Sequence, residues 1–73
     1  MNDKLSKTTE QTIKNFFDAY AQIQIVKAIE QISVKEICQK AGYNRSTFYK
    51  YFLDIYDLRQ QLEDMLVSKV HNP

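Results

Sequence analysis

Ala41-Gly42-Tyr43-Asn44-Arg45-Ser46-Thr47-Phe48-Tyr49-Lys50-Tyr51-Phe52 sets a glycine, a capping residue and a short aromatic and basic segment in direct succession. Gly42, the only glycine of the chain, follows an apolar pattern of helical spacing. It is placed to end a helix in the left-handed conformation, which costs glycine little and most other residues more. Asn44 then offers a side-chain oxygen to the free amides of a second helix, and residues 45–52 contain no glycine or proline to interrupt it. Two helices meeting across so short a turn predict a helix-turn-helix.

The faces of that second helix differ in kind. At about 100° per residue, Phe48 and Phe52 share one side with Tyr51 on its flank, while Ser46, Tyr49 and Lys50 point the other way. Aromatics at this spacing are core residues, and Phe16, Phe17, Phe48 and Phe52 are read as scaffold. Residues 39–53 contain no carboxylate, although Lys40, Arg45 and Lys50 lie among them. Such a surface suits a phosphate backbone.

Outward from the turn, Ser33 and Glu36 form the signature of a capping box, and Val34, Ile37, Cys38 and Ala41 continue the helical spacing up to Gly42. Cys38 falls where two crossing helices approach and a small side chain is required, so a buried, inert thiol is expected. Thr8 and Gln11 predict another capping box, followed by Ile13, Phe16, Phe17 and Tyr20 on one face. The first helix is therefore expected to start near Thr8 and to end between Gln22 and Ala28. In residues 21–31, Ile23, Ile25, Val26 and Ile29 suit either a longer helix or a packed connection. Beyond Phe52, Asp54 is placed to cap a fourth helix with Asp57 in its first turn, where the helix dipole favours carboxylates. Ile55, Leu58, Leu62, Met65, Leu66 and Val70 form a stripe longer than the first three helices need, and Met65, Leu66 and Val70 are expected to want another partner. Residues 1–8 read as a mobile arm in which Lys4 and Lys7 could meet phosphate.

Seventy-three residues allow one small core, burying about 60% of the surface that the unfolded chain exposes. With 44% apolar and 26% charged residues, one glycine and one proline, the composition is globular and poor in the breaks a many-stranded sheet needs. The expected class is all-α: a small homeodomain-like helical bundle with its helix-turn-helix at residues 33–52, followed by a fourth helix. The net charge of +1 is unevenly spread: residues 1–32 are balanced, residues 33–53 carry +3 and residues 54–73 carry −2. A single cysteine can make neither an internal disulfide nor a thiolate cluster, and the most apolar run, residues 23–32, is interrupted by polar side chains. A cytoplasmic protein is expected. The one histidine, His71, lies near the chain end, and no paired-cysteine, phosphate-loop or triad pattern can be assembled. Neither catalysis nor a cofactor or metal is expected.

The run from Ile32 through Phe52, continuing to Asp54 and Leu58, resembles the DNA-binding segment of the tetracycline-repressor (TetR) family of transcriptional regulators. The Thr-Phe-Tyr-x-x-Phe pattern at residues 47–52 is the most specific part, and the likeness extends over roughly residues 9–66. The resemblance implies double-stranded DNA as partner, with a recognition helix over residues 45–52 in the major groove. It implies that Arg45, Ser46 and Lys50 read bases, and that Ser33, Lys35, Thr47, Tyr49, Tyr51 and Tyr56 hold phosphates. A lysine common just inside the family's fourth helix is Ile55 here, which shifts that phosphate grip to Tyr56 and to backbone amides near Asp54. Residues 23–31 form a longer connection than usual. The larger C-terminal domain that binds effectors and dimerises in that family is expected to be missing from residues 1–73, the domain proper being residues 9–70, so a homodimer is expected only with that domain. The rival reading is a helical protein-interaction module that keeps the helix-turn-helix shape.

Overall fold

The computed structural model describes residues 3–71, with the side chains of residues 8–68. The expectations for the side chains of Lys4, Lys7, Val70 and His71 lie outside those described. Four α-helices, α1 (Asp3–Gln24), α2 (Val34–Ala41), α3 (Arg45–Tyr51) and α4 (Ile55–His71), and a 3-10 turn at Ile29–Gln31 make an all-α bundle. No strand occurs among the described residues.

The core is built around Phe16 of α1, which is fully buried. Its ring lies 4.9 Å from that of Tyr43, and meets Phe48 and Phe52 edge-on at 5.6 and 5.7 Å. Edge-to-face contacts of this kind add about 0.5–1.5 kcal/mol each beyond the area they bury. Ile37 of α2 and Leu58 of α4 are also fully buried, so every helix contributes to one cluster. Cys38 is buried, as its spacing predicts. The Phe48 and Phe52 face of α3 points inward, with Tyr51 half-buried against the core.

Local hydrogen bonds set the turns. Ser33 caps α2: its Oγ accepts the Glu36 N–H at 3.0 Å while Glu36 reaches back to the Ser33 N–H. Gly42 ends α2 at φ 85°, ψ 31°, and the Gly42 and Tyr43 N–H groups both return to the Cys38 carbonyl, at 2.8 and 3.0 Å. The Tyr43 bond is the six-to-one closure of a Schellman turn, which needs the left-handed residue before it. Asp54 caps α4 by accepting the Asp57 N–H at 2.8 Å, and Asp57 in turn accepts the Leu53 N–H at 2.8 Å.

The structure departs from expectation in three places. First, α1 starts at Asp3, so residues 3–8, expected as an arm, are helical, and Thr8 stands inside the helix with its carbonyl accepting the Thr12 hydroxyl at 2.9 Å. No glycine, proline or β-branched residue interrupts residues 3–7, and each added helical residue adds a hydrogen bond to an existing nucleus. Second, Met65 is partly buried against the core cluster, because α1 runs far enough along α4 to meet it, while Leu66 is half exposed. Third, residues 25–32 form a connection that the 3-10 turn tightens. Ile23 and Ile32 are buried at its ends, but Ile25 and Val26 are 76% and 79% exposed. An ion pair between Lys27 and Glu36 ties the connection to α2.

Candidate nucleic-acid interface

Asn44 organises the start of α3. Its Oδ1 accepts the Thr47 N–H at 2.9 Å, the Ser46 hydroxyl at 2.9 Å and the Thr47 hydroxyl at 3.0 Å. The sequence identifies Asn44 as a cap, but not that it also fixes two side chains expected to touch DNA. An asparagine followed two and three residues later by hydroxyl side chains is the signal that could have shown it.

From this start, α3 offers one face. Arg45, Ser46, Tyr49 and Lys50 are exposed, with Tyr49 held edge-on against Phe48 at 5.2 Å between ring centres. Thr47 and Tyr51 are half-buried on the flanks. Lys35 and Ser33 are exposed at the start of α2, and Tyr56 is half exposed in the first turn of α4. Arg59 lies over the Tyr56 ring, its guanidinium carbon 5.9 Å from the ring centre, within reach of a cation–π contact. Tyr43, in the turn between α2 and α3, points inward: its hydroxyl accepts a hydrogen bond from the Asn15 side chain at 2.9 Å.

Lys35, Lys40, Arg45 and Lys50 are exposed, and among the described residues none of them is in an ion pair. The one nearby carboxylate in sequence, Glu36, is engaged by Lys27, whose hydrogen bond holds Glu36 below its ordinary pKa. Burial pushes the Cys38 thiol up despite the charge of Arg45, which suits a packing role rather than a reactive one.

The expected phosphate grip at α4 meets a restriction. The Leu53 and Asp57 amides already donate to Asp57 and Asp54, and two carboxylates stand at this helix start. These two amides are therefore not free for phosphate. The amide nitrogen of Gln61 bonds the Tyr51 carbonyl and the Asp57 carboxylate, both at 3.2 Å, and so ties the end of α3 to α4. Sequence reading passed over Gln61, since a glutamine on a helix carries no local signature.

Elsewhere, an open groove between α1, the connection and α4 is lined by Ile13, Phe17, Ala21, Ile29, Leu62 and Leu66, among others. Among the described residues no group of three or more His, Cys, Asp or Glu side chains could hold a metal ion, and no helix is long and apolar enough to cross a membrane.

Over 51 residues the chain is 33% identical to an uncharacterised HTH-type transcriptional regulator, YwcC, of Bacillus subtilis (strain 168). The matched segment is 70% of this chain and 23% of that protein, so the chain spans only a minor part of its relative's length. No protein-family model matches the chain, and no solved structure does.

Proposed function

We propose that this chain is a sequence-specific DNA-binding domain of a transcriptional regulator of the TetR type, working in the cytoplasm. The observation that carries the reading is the outward face of α3. It holds Arg45, Ser46, Tyr49 and Lys50 on a rigid aromatic base, with unpaired cations and no carboxylate from residue 39 to residue 53. The similarity to an HTH-type transcriptional regulator supports it.

In this reading α3 enters the major groove. Arg45, at the helix start, presents its guanidinium fork to guanine, and Lys50, one turn on, reaches a base acceptor. Ser46 between them reads a base edge. Ser33 and Lys35 at the start of α2, Thr47, Tyr49 and Tyr51 on α3 and Tyr56 on α4 hold phosphates and so fix the register. Two copies, dimerised through further chain, would set their α3 helices about 34 Å apart on one side of the duplex.

Titration with duplex DNA at several salt concentrations tests the proposal. Each phosphate contact contributes about −0.9 to the log–log salt slope, and non-specific dissociation constants are expected at roughly 10⁻⁴–10⁻⁶ M. Lys35→Ala should weaken all sequences alike and reduce the slope by about one, whereas Arg45→Ala should cost about 1–3 kcal/mol and relax preference at one base position. The second reading, a protein-interaction module, draws on the exposed Ile25, Val26 and Leu53. Absence of any association with duplex DNA at low salt would favour it and end the first.

A further inference from the structure

We infer that Ser46 turns only lone pairs toward the groove and therefore reads an exocyclic amino group, adenine N6 or cytosine N4, rather than a base acceptor. This rests on the proposed DNA-binding role and adds the chemistry of one contact.

The hydrogen-bond direction follows from atom types. A backbone N–H can only donate, so the Asn44 atom that takes the Thr47 N–H at 2.9 Å is the carboxamide oxygen and not the nitrogen. That oxygen carries no hydrogen, and Ser46 Oγ stands 2.9 Å from it, so the Ser46 hydroxyl must be the donor. With its one proton committed inward, exposed Ser46 keeps two lone pairs for whatever lies outside. In the major groove the partners for lone pairs are the amino groups of adenine and cytosine, whereas guanine N7 and O6 and thymine O4 are acceptors that lone pairs repel.

The cap is crowded: three donors converge on one oxygen with two lone pairs. Thr47 is the side chain that gives way, because a phosphate oxygen accepts its hydroxyl proton on the helix flank. The Thr47 N–H and the Ser46 O–H then keep one lone pair each. Ser33 at the start of α2 has the opposite polarity. Its Oγ accepts the Glu36 N–H at 3.0 Å, which leaves its proton free for a phosphate oxygen. Arg45 and Lys50 carry donors only, so of the three base-facing side chains Ser46 alone supplies acceptors.

Base preference alone does not test this, since every base pair presents both a donor and an acceptor in the major groove. Base analogues do. On the tightest duplex from a random pool, adenines are replaced singly by purine and cytosines by 2-pyrimidinone, each lacking the amino group. Purine N7 is removed in parallel with 7-deaza bases. One amino deletion is expected to weaken the wild-type chain roughly three- to tenfold, the range of one neutral hydrogen bond, and to leave Ser46→Ala unaffected. Asn44→Asp keeps the acceptor and the helix cap, and should keep this coupling. Asn44→Ala releases the Ser46 proton, so the hydroxyl can donate as well as accept and should lose its selectivity for an amino partner over a base acceptor, with circular dichroism confirming that both variants fold. Coupling of Ser46 to an N7 deletion, or to no analogue, overturns the inference while leaving DNA binding intact. Failure of every duplex to bind overturns the DNA-binding reading itself and this inference with it.

Discussion

Replacing Gly42 isolates one physical quantity, the cost of a side chain in the left-handed region. The residue sits at φ 85°, and a Cβ built there meets nothing within 4 Å, so a substitution adds conformational strain without a clash. That strain is about 1–2 kcal/mol for an ordinary L-residue, offset by about 0.4–1 kcal/mol because alanine also restricts the unfolded chain. Gly42→Ala should therefore lose about 1 kcal/mol, which lowers Tm by roughly 4–8 °C in a domain of this size. Gly42→Asn should lose less than half as much, since asparagine tolerates the left-handed region. Gly42→Val, β-branched, should lose about 2 kcal/mol or more. Thermal melts followed by circular dichroism at 222 nm give the order. Equal losses for Ala and Asn, or an unchanged Tm for Val, would refute the argument that backbone conformation alone selects glycine here.

Phe16→Ala removes the fully buried ring that three others touch. It should cost about 3–5 kcal/mol, and urea titration should find the domain largely unfolded before denaturant is added, or nearly so. Tyr43→Phe loses the bond from Asn15 and should cost about 1 kcal/mol without altering the salt slope of DNA binding, since the hydroxyl faces inward. Glu36 has its folded pKa lowered from 4.5 by the Lys27 hydrogen bond, so its stabilising effect is fully present above that ordinary value and disappears as pH falls through the depressed one. The difference in Tm between wild type and Glu36→Gln should therefore be constant near neutrality and vanish in strong acid; a difference that grows on acidification would refute the pairing.

What could be read from residue order follows the range of the interactions. The Ser33 and Asp54 caps, the glycine stop and the Asn44 cap close through hydrogen bonds within five residues, so local chemistry identifies them. The aromatic face of α3 was legible for a similar reason, because helical period alone puts Phe48 and Phe52 together. The start of α1 was not, since a capping signature at Thr8 competes with an uninterrupted helix before it, and only propagation of an existing helix decides between them. Met65 depended on how far α1 extends alongside α4, which no local pattern encodes. The proton of Ser46 was equally hidden: residue order places two hydroxyls near Asn44, but only coordinates show that both aim at the same oxygen.

The Schellman turn at Gly42 also bears on the order in which the chain assembles. Its bonds, and those of Asn44, span at most five residues, whereas the Asn15 to Tyr43 bond closes a separation of 28 residues. Short closures lose little chain entropy and long ones more, so α2, the turn and α3 are expected to form early as a fluctuating hairpin that α1 then captures. In stopped-flow refolding, Gly42→Ala should accordingly slow folding, while Tyr43→Phe should chiefly hasten unfolding. The glycine that ends α2 ahead of α3 thus also governs how quickly a newly made chain completes its fold.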